Sequence, residues 1–182
     1  MTIRHIIATD EKGGYSHGGE TPWYLPEELA TMRQTMEKFG GIVLVGRNTW
    51  SVMEQNARSR TPDTAHSFGQ RHVYVVSSET LTLPATVVQV VDIDSFVAER
   101  RAYNQDFWVA SGGLYADIRL APDEVWRTAV QGDYGCDAFY AMPPDMQRLE
   151  ASEWHEENGV KYRYELYKRL QLGAAACESM PS

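Results

Sequence analysis

Apolar and polar positions fall into short blocks whose period switches along the chain. Ile3 to Thr9 reads as a short buried strand. Residues 10–22 hold four glycines and no apolar period, which predicts a loop. Leu29, Met32, Met36 and Phe39 then recur at helical spacing. Pro26, with its φ fixed and no N–H, suits a first helical position, so a helix is predicted over 26–39, stopping at Gly40-Gly41. Ile42-Val43-Leu44-Val45 is continuous, as in a central strand covered on both faces. Gly46-Arg47-Asn48-Thr49-Trp50 opens another helix, with Asn48 or Thr49 as its cap.

Residues 57–71 are polar, carry Pro62 and Gly69, and read as a long surface loop. Further strands are predicted at Val73–Val76, Thr86–Val91, Phe107–Ala110 and Glu124–Val130, with helices at Asp94–Arg101 and Leu114–Leu120. Leu149–Glu157 and Val160–Arg169 flank Asn158-Gly159, a strong type I′ hairpin signal. Strand and helix alternate through the first two-thirds, and a hairpin closes the chain. The prediction is an α/β domain over 1–170, with a mostly parallel sheet and an antiparallel edge, followed by a disordered tail at 171–182.

Composition narrows the function. The chain has 182 residues, 43% hydrophobic and 23% charged, which fits one globular domain. A net charge of −8 argues against nucleic acid and against an anionic membrane surface. No apolar run nears the roughly 18 residues that span a bilayer, and no signal-peptide pattern opens the chain, so the cytoplasm is expected. Cys136 and Cys177 are too few for a disulfide framework, and the five scattered histidines predict no metal site.

The candidate chemistry gathers at strand ends. In an open α/β sheet, ligands bind beyond the carboxyl ends of the strands. Gly46-Arg47-Asn48-Thr49 follows one strand and offers free N–H groups and a guanidinium to a phosphate. Ser77-Ser78 follows the next with two small hydroxyls, and Ser111-Gly112-Gly113 follows a third with a backbone that a pyrophosphate can approach. Singly, each is an ordinary surface turn; together they predict a dinucleotide site. There is no GxGxxG. An arginine and serines without an acidic ribose binder favour NADPH over NADH. Glu28 follows Pro22-Trp23-Tyr24-Leu25-Pro26 in the first helical turn, beside an apolar face; acids are common there for dipole reasons alone.

In order, these segments resemble the dihydrofolate reductase family from about Ile3 to Arg169. Ile6-Ile7-Ala8, the glycine-rich loop, Pro22-Trp23-x-Leu25-Pro26-x-Glu28-Leu29, Gly46-Arg47-x-Thr49-Trp50, Ser77-Ser78, Gly112-Gly113-Leu114-Tyr115, Thr128, Cys136-Asp137-x-Phe139 and the closing hairpin carry the likeness. The resemblance implies a central sheet of about eight strands flanked by about four helices. It implies reduction of 7,8-dihydrofolate by hydride transfer from NADPH, with antifolate-type molecules as further ligands, in a monomer. Glu28 would hold the 2-amino group and N3 of the pterin and promote N5 protonation, with Thr128 sharing its network. Ile6, Ala8 and Val109 would present carbonyls to pterin or nicotinamide. Trp23 and Tyr115 would line the reaction centre, and Leu29, Met32 and Met53 the apolar walls. Arg71 would clamp the glutamate α-carboxylate. Gly46, Arg47, Asn48, Thr49, Ser77, Ser78, Ser111, Gly112, Gly113, Leu114, Tyr115 and Ala8 would contact the cofactor. Gly14, Tyr15, Ser16 and Thr21 belong to the implied lid, which Asp137 would steady.

Three departures stand out. Met32 replaces an aromatic, the loop 57–70 is long and borders the glutamate end, and the family's cis Gly-Gly aligns onto Ala110-Ser111. Either that bond persists or the turn is rebuilt at Gly112-Gly113. Rival readings are a same-fold reductase of another pterin or a riboflavin-pathway pyrimidine, and an inactive nucleotide-binding relative. Glu28 with Thr128 argues against the last.

Overall fold

Ile3–Thr9 (β1) is buried along almost its whole length because the sheet covers both of its sides and helices or loops cover both faces. The computed structural model describes residues 1–60 and 71–170. β1 pairs in parallel with Phe107–Val109 (β6) on one side and Glu124–Val130 (β7) on the other. Beyond β6 lie Ile42–Gly46 (β3), His72–Val76 (β4) and Val87–Val90 (β5), all parallel. Beyond β7 lies Val160–Arg169 (β11), antiparallel, which pairs with both Met146–Ala151 (β9) and His155–Glu157 (β10). The sheet thus has nine strands, mostly parallel with an antiparallel C-terminal edge.

The core follows from the period of two along the central strands. Val43 and Val45 face one side with Ile6, Trp50, Val73, Val75 and Trp108, under Pro26–Lys38 (α1) and Arg47–Arg60 (α2). Leu44 faces the other with Ile3, Phe107, Val109 and Phe96, under Ile93–Ala102 (α3). Phe107 and Trp108 are both fully buried, so truncating either to alanine costs about 3–5 kcal/mol. The Asp92 side chain accepts from the N–H groups of Asp94 and Ser95 and so fixes the start of α3.

Several expectations are corrected. α2 begins at Arg47, so Asn48 and Thr49 are first-turn residues and not caps. The same helix runs to Arg60; the rest of the expected loop, 61–70, lies outside the described residues, as does the tail 171–182. Residues 114–120 form no α-helix: a 3-10 turn at Gly112–Leu114 and another at Ile118–Leu120 replace it, because Asp117 caps the second turn and breaks the run. Among the described residues there are therefore three α-helices, not about four. The expected strand 149–157 is two strands, and Gly14–Ser16 (β2), within the predicted loop, pairs with Ala138–Phe139 (β8). All described peptide bonds are trans, including those at Ala110-Ser111 and Gly112-Gly113. The hairpin turn is as expected, with Asn158 at φ 51° and Gly159 at φ 76°.

Candidate functional site

Register brings the predicted phosphate turns together. Gly46 lies opposite Val76 and Leu44 opposite Val109, so the turns after β3, β4 and β6 are neighbours on one sheet edge. Thr49 Oγ1 and Ser111 Oγ are 2.9 Å apart, tying two of those turns to each other. A Cβ on Gly46 would stand 3.0 Å from Ser111 Oγ, so glycine there permits this closeness. Gly113 opens onto free space: nothing lies within 4 Å of where its Cβ would be. Bare backbone at a strand end, flanked by hydroxyls, fits a pyrophosphate. Arg47 is exposed and paired with Glu79, and Ser77 Oγ closes a small turn on the N–H and carbonyl of Glu79. Asn48 and Ser78 are also exposed. Leu114 is instead a core residue packed beneath the turn.

Glu28 is 1% exposed at the start of α1. The Thr128 hydroxyl, on β7, donates to Glu28 Oε1 at 2.6 Å. Burial pushes the Glu28 carboxyl up from 4.5 to about 7; the Thr128 bond opposes this and the Glu157 charge adds to it. Behind the acid a narrow pocket is lined by Ile6, Thr31, Met32, Trp126, Thr128 and Tyr164. Trp23 packs with Leu25, Val130 and Tyr162 and meets Tyr134 edge-on at 5.2 Å, which anchors the segment before the helix. Leu29 is exposed, and Met32 and Met53 are partly buried against the core beside Trp50.

Tyr115 donates its hydroxyl to the Ile6 carbonyl at 2.7 Å, and its burial keeps that hydroxyl protonated. Val109 is fully buried and Ala8 partly so, Ala8 standing opposite Thr128 in the sheet. Tyr15, from β2, meets Tyr115 edge-on at 6.2 Å and packs against Gly112. The expected lid thus reaches the turn after β6. Asp137 holds it: the Gly18 N–H donates to Asp137 Oδ2 at 2.8 Å, and the Asp137 N–H donates to the Ser16 carbonyl at 2.9 Å. Gly14 is buried at the start of this strand, and Thr21 is exposed, beyond its end at Ser16.

Arg71 is 9% exposed by side chain, 3.8 Å from Glu37 of α1, and close enough to Arg33 to feel its charge. Burial and Arg33 both lower its proton affinity, yet an arginine stays charged.

Sequence reasoning missed four contributors. Asp10 is 1% exposed and accepts from the N–H groups of Lys12, Gly14 and Tyr134, fixing the root of the lid. His5 is fully buried; its Nε2–H donates to the Leu120 carbonyl and its Nδ1 accepts from Tyr140, while burial lowers its proton affinity to about 4. Arg33 adds a cation beside Arg71, and Tyr164 closes the pocket behind Glu28. An aspartate shortly before a glycine pair is the one legible signal among these.

Fold and site together define an α/β domain with a buried acid bonded to a strand hydroxyl and three turns gathered at one sheet edge. The chain belongs to the dihydrofolate reductase family, whose model, Dihydrofolate reductase, matches residues 2–169. It is 27% identical to the dihydrofolate reductase of Mycobacterium tuberculosis (strain ATCC 25618 / H37Rv) over 176 residues, covering 93% of this chain and 99% of that protein. With the dihydrofolate reductase of Haemophilus influenzae it shares 24% identity over 157 residues, 86% of each chain. With that of Aedes albopictus it shares 22% over 183 residues, 91% of this chain and 96% of the other. Among the described residues no helix is long and apolar enough to cross a membrane, and no three His, Cys, Asp or Glu residues gather to hold a metal ion.

Proposed function

We propose that this protein reduces 7,8-dihydrofolate to tetrahydrofolate with NADPH as the hydride source, in the cytoplasm and as a monomer. The observation that carries the reading is Glu28, an acid buried at the start of α1 and bonded to Thr128. A buried carboxylate with one oxygen on a hydroxyl can take two parallel N–H bonds from a 2-aminopyrimidinone edge, a planar and strong recognition. Ionised Glu28 facing that edge favours a proton on the pterin, which makes the ring a better hydride acceptor. With its affinity near neutral, Glu28 divides between acid and carboxylate at working pH, and substrate N–H groups draw it to the carboxylate.

NADPH supplies the hydride when bound. Ser111 and the open backbone at Gly113, with Gly112 under Tyr15, would meet its pyrophosphate. Arg47 with Ser77 and Ser78 would meet a 2′-phosphate once Arg47 leaves Glu79. Tyr115 and the carbonyls of Ile6, Ala8 and Val109 would line the nicotinamide and pterin edges, and Trp23, Leu29, Met32 and Met53 the apolar walls. Arg71, with Arg33 beside it, would hold the glutamate carboxylate. Gly14, Tyr15, Ser16 and Thr21, steadied by Asp137, would exclude water from the two rings.

The test is NADPH oxidation followed spectroscopically with and without dihydrofolate, then with an antifolate. Oxidation that depends on dihydrofolate and is blocked by the antifolate supports the reading. Oxidation with a simple dihydropterin or a pyrimidine but not with dihydrofolate points to the same-fold rivals.

A further inference from the structure

Helix α1 starts without a cap of its own. Leu25 stands at the cap position with no side-chain oxygen to offer, and Pro26 has no N–H. The first free donors of the helix are therefore the N–H groups of Glu27 and Glu28. Both turn to one carboxylate from far along the chain. Glu27 N–H donates to Glu157 Oε1 at 2.9 Å, and Glu28 N–H reaches Glu157 Oε2 at 3.5 Å. Glu157 ends β10, immediately before the Asn158-Gly159 turn. Asn158 grips the same segment, its Nδ2–H donating to the Tyr24 carbonyl at 3.0 Å. The hairpin tip thus holds the chain on both sides of Pro26. The turn is defined by positive φ at Asn158 and Gly159 and by pairing of Glu157 with Val160.

We propose that Glu157 is a positioning residue for Glu28, fixing the first turn of α1 from outside so that the Glu28 side chain stays on Thr128. The proposal rests on the reading of Glu28 as the substrate-binding acid. Three elements besides α1 face this acid: Thr128 comes from β7, Tyr164 from β11 and Glu157 from β10. Glu27 precedes it on α1, and Arg127 and Glu165 border the pocket behind it. Helix N-termini ordinarily favour an ionised acid. The Glu157 carboxylate on the Glu27 and Glu28 N–H groups offsets that preference, and its charge raises the proton affinity of Glu28. A remote acid therefore both aims the side chain and tunes when it is charged.

Two variants of the full chain separate these effects. Glu157→Gln keeps a carbonyl oxygen for the Glu27 N–H and removes the charge; Glu157→Ala removes both. In ligand-free protein, the Glu28 carboxyl is titrated by carbon NMR, and exchange of the Glu27 and Glu28 amides is followed. The Glu28 midpoint falls by about half a unit or more in both variants, since a like charge is removed. The two amides exchange roughly ten-fold faster in Glu157→Ala than in Glu157→Gln. In turnover, the acid-dependent limb of hydride transfer moves to lower pH in Glu157→Gln. An unmoved Glu28 midpoint in folded Glu157→Gln overturns the tuning. Glu27 and Glu28 amides that exchange as slowly in Glu157→Ala as in Glu157→Gln overturn the positioning. Should Glu157→Ala fail to fold, wild-type exchange of both amides in Glu157→Gln together with an unmoved midpoint overturns the proposal. Should the wild type not reduce dihydrofolate, the substrate reading fails, while titration and exchange still decide the role of Glu157.

Discussion

Thr128 Oγ1 lies 2.6 Å from Glu28 Oε1, a bond that joins strand β7 to the first turn of α1 across one hundred residues of sequence. It leaves the other oxygen of a nearly inaccessible acid as the site's strongest unspent acceptor for a ligand N–H. Because burial outweighs this bond, Glu28 binds its proton more tightly in the fold than in the open chain.

Glu28→Gln therefore stabilises the ligand-free protein at neutral pH. A carboxyl raised from 4.5 to about 7 binds more protons folded than unfolded between those values, so stability is full below 4.5 and declines as pH rises through 7. The decline amounts to about 3 kcal/mol on an order-of-magnitude basis. The amide carries no charge to desolvate and keeps a carbonyl for Thr128. Melting temperatures of the two proteins should coincide near pH 4.5 and diverge, with the variant higher, toward pH 8. A variant that melts lower throughout contradicts the burial argument.

Arg71→Leu tests the carboxylated tail of the substrate. Loss of a charge-assisted pair is worth about 1.5–3 kcal/mol, roughly ten- to a hundred-fold in KM for dihydrofolate, with kcat little changed. Arg33 lies close enough to Arg71 to act on its charge, so if both meet the carboxylate the double variant with Arg33→Leu should lose more than Arg71→Leu alone. A simple dihydropterin should be indifferent to both. If dihydrofolate binds both variants as it binds the wild type, the glutamate end lies elsewhere.

Arg47→Ala should weaken NADPH about ten-fold and leave NADH nearly unchanged, measured as Kd by fluorescence titration. The expected loss is modest because Arg47 is half exposed and already shared with Glu79. Equal loss for both dinucleotides would assign Arg47 to the pyrophosphate.

Much of this site is legible in the chain itself. The continuous apolar run at 42–45 marks β3 because a strand buried on both faces leaves no alternation to misread. Pro26 and the helical spacing from Leu29 mark α1, and with it the placement of Glu28. The loop containing Tyr15 is less legible: its short strand β2 exists only through pairing with β8, more than one hundred residues on. The helix expected at 114–120 does not form because Asp117 spends its side chain on the Arg119 N–H and closes a tight turn. Glu157 carries no sequence signal, since its partners are backbone N–H groups of a distant helix. Glu79 carries none either, because its partner Arg47 is brought to it only by the pairing of β3 with β4.

The most direct test of Glu28 as the substrate-binding acid is single-turnover hydride transfer from NADPH to dihydrofolate across pH, in wild type and in Glu28→Gln. Wild-type transfer should depend on one titrating group, below the ligand-free midpoint of Glu28 because the bound substrate's N–H groups favour the carboxylate. The variant should be about 10²–10⁴-fold slower near neutral pH, with that dependence lost and NADPH binding unchanged. Transfer in Glu28→Gln within a few-fold of wild type, with the same pH profile, would contradict the role given to Glu28.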